Sequence, residues 1–426
     1  MSDDIILNTD YDDFVDEVEK GIKGGNTLIP VGLPKLNRHI GIGKGIYILI
    51  GGESGTGKTA LTDEMFVLNP YDWYIRNKDK TDKKLRIIYR SMERSKTHKI
   101  AKWVCLRLWL KYNILVDVPT VLGWRVDKKP IPVEVYKKIK EARDYFEEMF
   151  DIVQVTDGAI NPTGMYKQCK TISLSEGFLI KSNDKKIVKV DKYNPKGEVI
   201  KEFSNKHYKI NKAGVKVYYE EVTIKGEVEK ITHYYTKYYP DHPNSINVIL
   251  GDHNGKWKNE KHDGMMLNDK QTLDKASEYY GELRDIYKWS PIAVNQFNRN
   301  IADTTRRVKL DLTPEKQDFK GSGNMYEDAD FVCAVFNPHE SGIREFKKYK
   351  IPQFNNQEGF NRFRSLHILK NSFGVDNIIT GLNFIGENGH FNEVKRPTEM
   401  TTLDYSQAAR PELNPPNPNL KVQQLI

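Results

Sequence analysis

The stretch that most constrains this chain is Gly52-Glu53-Ser54-Gly55-Thr56-Gly57-Lys58-Thr59, which fits the phosphate-cradling pattern G-x-x-x-x-G-K-[ST]. Gly45-Ile46-Tyr47-Ile48-Leu49-Ile50 precedes it, a run short and β-branched enough to be a buried strand. Ala60-Leu61-Thr62-Asp63-Glu64-Met65-Phe66 follows and reads as the start of a helix. Strand, glycine loop and helix are the context the pattern needs. The glycines let backbone N–H groups turn toward phosphate oxygens, and the helix start adds its positive dipole end. Lys58 then reaches the β- and γ-phosphates and the Thr59 hydroxyl ligates Mg²⁺. A nucleoside triphosphate is the expected ligand.

At 426 residues the chain holds one large domain with insertions, or two smaller ones. No apolar run approaches the roughly 20 residues of a membrane span, and Met1-Ser2-Asp3-Asp4 is no signal peptide, so a cytoplasmic protein (host cytoplasm if viral) is expected. Cys105, Cys169 and Cys333 are scattered and odd in number, which argues for a reducing compartment without structural disulfides or a zinc site. The net charge of +8 permits nucleic-acid binding without diagnosing it.

Along the chain, Phe14, Val15, Val18 and Ile22 at helical spacing predict an amphipathic helix over 9–24. It fits either its own core or a neighbouring subunit. Leu85–Arg90 reads as a strand carrying Ser91-Met92-Glu93-Arg94 at its end, where open α/β sheets place ligands. Helices are expected over Lys99–Leu110, Val133–Phe150 and Asn161–Ser175, with a strand at Ile152–Val155. Residues 179–241, rich in Lys, Val, Tyr and Thr with turn signals at Asn194-Pro195-Lys196-Gly197 and Lys225-Gly226, read as inserted β-hairpins. The core pattern resumes with the strand Ile246–Leu250, a helix near 270–288 and the strand Pro291–Asn295. Residues 300–324 read as mobile basic loops, Phe331–Phe336 and Leu366–Leu369 as strands, and 396–426, with five prolines, as a disordered tail. The domain plan is therefore a linker helix (1–28), a core in two parts (29–178 and 242–395), the insertion and the tail.

Three polar residues stand where chemistry is expected. Asp252 closes an apolar strand and suits a carboxylate beside Mg²⁺, Glu93 suits a base for water, and Gln296 suits a γ-phosphate sensor. Taken singly, each also fits ordinary turn or surface chemistry.

Their order resembles the RecA-like core of the DnaB family of replicative hexameric helicases. The family's Ser-Leu-Glu-Met is matched by Ser91-Met92-Glu93-Arg94, and its Ser-Gln-Leu-Asn-Arg by Asn295-Gln296-Phe297-Asn298-Arg299. Gly321-Ser322-Gly323 with Glu327-Asp328-Ala329-Asp330, and Leu369-Lys370-Asn371-Ser372-Phe373-Gly374, are similar to two later family motifs. Pro30–Arg38 is similar to the lead-in, and the resemblance covers roughly residues 10–178 and 245–395. It implies an α/β, RecA-like P-loop NTPase with a mostly parallel central sheet, interrupted by the β-hairpin region. It also implies ATP and Mg²⁺ as cofactors, Lys58, Glu93, Asp252 and Gln296 as catalytic residues, and Lys370 reaching across a subunit boundary. The implied assembly is a homo-hexamer around single-stranded DNA, with residues 9–24 docking on the next subunit and a primase or loader as partner. The basic loops, with Lys256, Lys258, Arg299, Arg306, Arg307 and Lys309, are the implied DNA contacts.

Ser372 stands where the family has its arginine finger, so Arg362, Arg364 or Arg396 must substitute, or hydrolysis is slow. The family's Tyr-Leu-Gln after the strand aspartate is replaced by His253-Asn254-Gly255, the N-terminal collar is missing and the insertion is added, a compact form that suggests phage origin. Two other functions remain open: a RecA-like recombinase or mediator, and a nucleotide-binding structural protein with a decayed motor.

Overall fold

The structure, a computed structural model, describes residues 10–127, 130–183, 186–193, 199–201, 207–210, 216–224, 227–232, 237–298, 306, 312–319 and 323–416. Its centre is a nine-stranded sheet of β1 (Ile48–Gly52), β2 (Lys84–Ser91), β3 (Val153–Asp157), β4 (Ser245–Asp252), β5 (Ser290–Gln296), β6 (Phe331–Phe336), β7 (Phe363–Asn371), β8 (Ile378–Ile385) and β9 (His390–Glu393). The spatial order is β9-β8-β7-β6-β1-β5-β4-β2-β3. The six strands from β6 to β3 are parallel, while β7, β8 and β9 add an antiparallel edge.

The apolar runs are continuous because the parallel strands are covered on both faces. In β1, Ile48 and Ile50 face one core with Phe66 and Leu106, while Leu49 faces the other with Tyr280 and Trp289. The same alternation in β4 sends Val248 and Leu250 one way and Ile249 the other. Shifting either strand by one residue would exchange its core faces, which fixes the register.

Helix α1 (Asp10–Ile22) leads the chain with Val15, Val18 and Ile22 exposed. After the P-loop, α2 (Lys58–Asp63) continues through a π-turn at Glu64–Leu68 into a helix over Asn69–Asn77. Helix α3 (Lys96–Tyr112) starts at Ser95, whose hydroxyl accepts from the His98 N–H, and covers one face of the sheet. Helices α4 (Pro162–Ser175) and α5 (Asp269–Asp285) pack together on the opposite face.

Several elements differ from the sequence expectation. The single helix expected over Val133–Phe150 is two, Val133–Glu141 and Arg143–Ile152, broken at Ala142 so that Val135 and Phe146 both reach the core. The tail expected to be disordered from residue 396 instead forms a helix over Thr402–Ala409, capped reciprocally by Thr401 and Asp404. Its Tyr405 packs on Phe354, which outweighs the proline count. Of the loop expected to be mobile over 300–324, the described part at 312–319 is packed, with Leu312 and Phe319 buried. The insertion's first strand, Gly177–Asn183, pairs antiparallel with its last, Lys237–Pro240, so the chain leaves and re-enters the core at one place. Tyr238 there donates to the Ser173 carbonyl at 2.7 Å.

Candidate active site

The parallel register brings the expected residues to one edge. Gln296 lies level with Gly52, and Asp252 level with Ser91 and with Val294. The P-loop, the Glu93 turn, Asp252 and Gln296 therefore all leave the sheet at its carboxyl edge, where they line an open cleft of about 800 Å³.

The loop is built for close backbone approach. Gly57 has φ +93°, and a Cβ there would lie 2.9 Å from the Phe391 ring, so a larger residue is excluded by conformation and by space. Thr56 Oγ1 donates to the Glu53 carbonyl at 2.9 Å, and Lys58 Nζ donates to the same oxygen at 2.5 Å. Burial pulls the Lys58 ammonium down to about 8 against the opposing pull of Asp252, Glu93 and Glu53.

Thr59 Oγ1 donates to Asp252 Oδ1 at 3.0 Å. Burial pushes the Asp252 carboxyl up, but Lys99 and the hydroxyls of Tyr89 and Thr59 outweigh it and hold it below the usual carboxylate range. A hydroxyl and a carboxylate at the P-loop form a hard-oxygen set that fits Mg²⁺, an ion that usually takes one or two protein oxygens and completes its shell with phosphates and water. Among the described residues no cluster of three or more His, Cys, Asp or Glu forms a metal site without such help.

Glu93 is half-exposed at the cleft wall, with His253 Nε2 4.0 Å from its Oε2. His253 Nδ1 accepts from the Gly255 N–H at 3.2 Å, and burial lowers the ring's proton affinity. The neutral ring therefore carries its proton on Nε2, the nitrogen facing Glu93. Gln296 is exposed at the end of β5.

Sequence reasoning missed the layer beneath. Lys99 is buried, and its Nζ donates to Asp63 at 3.2 Å, to Asp252 Oδ2 at 3.1 Å and to the Tyr89 hydroxyl at 2.5 Å. Trp103 Nε1 donates to Asp63 Oδ2 at 2.9 Å, and the Tyr89 hydroxyl to Asp63 and Asp252 at 2.8 Å each. The available signal was spacing: Lys99, Trp103 and Leu106 lie at i, i+4 and i+7, which puts a lysine on the buried stripe of α3.

The basic residues divide by place. Because β7 runs antiparallel, Ser365 is level with Phe336, and Lys370 with Val332 near the amino end of β6. Lys370 and Ser372 are thus at the opposite edge from their own P-loop. Arg362 and Arg364 are on the P-loop side and already engaged. Arg362 forms a forked pair with Glu387 at 2.8 and 2.6 Å, and Arg364 Nε donates to the Thr56 carbonyl at 3.1 Å. The expectation that either serves as a finger toward a neighbour is corrected: both are spent on their own chain. Arg396 is exposed and caps the short turn at Pro397–Glu399.

Of the implied DNA contacts, Lys256 and Lys258 are exposed beyond Asp252. Arg306 differs from the expectation, since its guanidinium pairs with buried Asp318 at 2.6 Å and donates to the Thr313 carbonyl at 2.6 Å, pinning the loop. Arg299, Arg307 and Lys309 lie outside the described residues.

No protein-family model and no curated protein matches the sequence. Solved structures do match by shape. The ATPase domain of a DnaB-like replicative helicase, solved on its own, aligns with 91% of this chain and 100% of its own at TM-score 0.57 and 15% identity. The fold is that of a DnaB-like helicase ATPase domain. A second match is a DnaB-like replicative helicase described together with its interactions with primase, at TM-score 0.54 and 15% identity, covering 92% of this chain and 68% of that one. Among the described residues no helix is long and apolar enough to cross a membrane.

Proposed function

We propose that this chain is an ATP-dependent replicative DNA helicase that translocates on single-stranded DNA as a homo-hexamer and unwinds the duplex ahead. The observation that carries the proposal is the convergence of Lys58, Thr59, Asp252, Glu93 and Gln296 on one cleft at the carboxyl edge of a DnaB-like core.

In this account the P-loop N–H groups and Lys58 bind and orient the triphosphate, and Thr59 and Asp252 hold Mg²⁺. The ion supplies charge neutralisation for the phosphates. Glu93 accepts a proton from the attacking water as the bond from the γ-phosphorus to the bridging oxygen breaks and ADP leaves. Gln296 hydrogen-bonds the γ-phosphate, so that its loss is felt at the end of β5. Lys370 acts on the next subunit's nucleotide, in keeping with its distance along the sheet from its own P-loop. Exposed Val15, Val18 and Ile22 give α1 an apolar stripe suited to docking on a neighbouring copy. Lys256 and Lys258, directly after the Asp252 strand, contact DNA phosphates together with the basic segment at 299–309.

A forked-duplex assay tests the proposal: ATP-dependent strand separation that Lys58→Ala abolishes supports it, and nucleotide binding without unwinding contradicts it. One observation favours a second reading, a nucleotide-gated scaffold. Ser372 stands at the turn after β7 where a finger is expected, and Arg362 and Arg364 are engaged elsewhere.

A further inference from the structure

Lys99 sits at the meeting point of the three segments that build the cleft. Asp63 comes from α2, directly after the P-loop. Tyr89 comes from β2, which leads to Glu93. Asp252 comes from the end of β4. The Lys99 ammonium contacts all three, at 3.2 Å for Asp63, 2.5 Å for Tyr89 and 3.1 Å for Asp252. Asp63, Lys99 and Asp252 are each at most 3% exposed. Two carboxylates this deep and this close repel each other and have little water to screen them.

We propose that Lys99 is a positioning residue and internal counter-cation of the magnesium site. Its ammonium holds Asp252 Oδ2 inward, leaving Oδ1 beside the Thr59 hydroxyl at the cleft, and balances one of the two buried charges before any metal arrives. The pair of carboxylates alone would be a strong attractor for a divalent ion and a poor component of a metal-free fold. With Lys99 between them, the fold stands without Mg²⁺, and the ion binds tightly only when nucleotide phosphates add their own ligands. The proposal rests on the reading of the cleft as a Mg²⁺–nucleotide site.

The geometry supports positioning beyond simple neutralisation. Tyr89 donates one hydroxyl proton shared between Asp63 and Asp252, each 2.8 Å away, and Trp103 fixes the far oxygen of Asp63. Every oxygen of the two carboxylates thus has a donor, and Oδ1 of Asp252 is the one whose donor, Thr59, belongs to the P-loop.

The test uses the full chain without nucleotide, following thermal unfolding in EDTA and in increasing MgCl₂. The wild type is expected to melt at the same temperature in both. Lys99→Met is expected to melt lower in EDTA and to recover most of the loss in MgCl₂, with a half-saturating Mg²⁺ concentration at least about tenfold below that of the wild type, a discounted share of what a unit charge exerts across a few ångströms of protein interior. A Lys99→Met loss that MgCl₂ does not recover overturns the proposal. If Lys99→Met folds in neither condition, Lys99→Met/Asp63→Asn decides. That variant has the wild-type buried charge and is expected to fold without Mg²⁺; its failure to fold makes Lys99 a packing residue and overturns the proposal. Failure of the nucleotide-site reading shows separately, as wild-type protein that does not bind a fluorescent ATP analogue more tightly than Lys58→Ala does.

Discussion

Thr59 Oγ1 donates to Asp252 Oδ1 at 3.0 Å, joining the first helical turn after the P-loop to the end of a strand 193 residues away. That single bond sets the carboxylate where a metal–phosphate complex would meet it. Asp252→Asn keeps the shape and an acceptor but removes the charge. It should lower ATP turnover by about a hundredfold while leaving the melting temperature within a few degrees of wild type. Steady-state hydrolysis and thermal unfolding measured side by side check this.

Glu93 faces the same cleft and has the His253 Nε2 beside it. Glu93→Gln should reduce kcat by about 10²–10⁴, the range a positioned general base contributes, with nucleotide affinity unchanged. Binding of a fluorescent ATP analogue, read against single-turnover hydrolysis, separates the two effects. A loss of binding equal to the loss of rate would remove Glu93 from the chemistry.

Ser372 follows β7 at the sheet edge opposite the P-loop, the place from which a residue reaches a neighbour. Ser372→Arg should raise ATP hydrolysis at least about tenfold in the assembled state, since a trans arginine is worth more than that in related phosphoryl transfer. The gain should vanish on dilution below the concentration that sustains assembly, which mass photometry can follow in parallel.

Much of this site was legible in the order of motifs, because each candidate closes an apolar strand and parallel strands carry their carboxyl ends to one edge. The Lys99 cluster was not legible in the same way. Its members are 36 and 153 residues apart in pairs, and only the packed fold shows that Asp63, Lys99 and Asp252 share one buried space. The tail helix was hidden by its prolines, although Thr401 and Asp404 carry a capping signature. Arg306 illustrates the converse: a basic loop residue read for DNA is paired inward with Asp318, because a buried carboxylate needs a partner more than a loop needs a charge.

His367, on β7, is buried against Phe336 and Phe346, and its Nε2 lies 2.8 Å from Ser365 Oγ. Burial, with Lys347 nearby, pulls its pKa down from 6.5 to about 3. Between these values the unfolded chain binds a proton that the folded chain refuses. Its contribution to stability is therefore complete above pH 6.5 and falls as pH drops toward 3. At about 1.4 kcal/mol per pH unit, the loss at pH 5 is about 2 kcal/mol. Denaturant unfolding at pH 7 and pH 5 should show a smaller pH difference for His367→Gln than for the wild type; equal differences would contradict it.

The central claim is that the cleft drives a motor on single-stranded DNA. The most direct measurement is ATP hydrolysis with and without single-stranded DNA, on the wild type and on Lys58→Ala. The account predicts turnover that DNA stimulates severalfold and that Lys58→Ala removes. ATP bound without turnover, whether or not DNA is present, would contradict it and leave a nucleotide-gated scaffold as the better description.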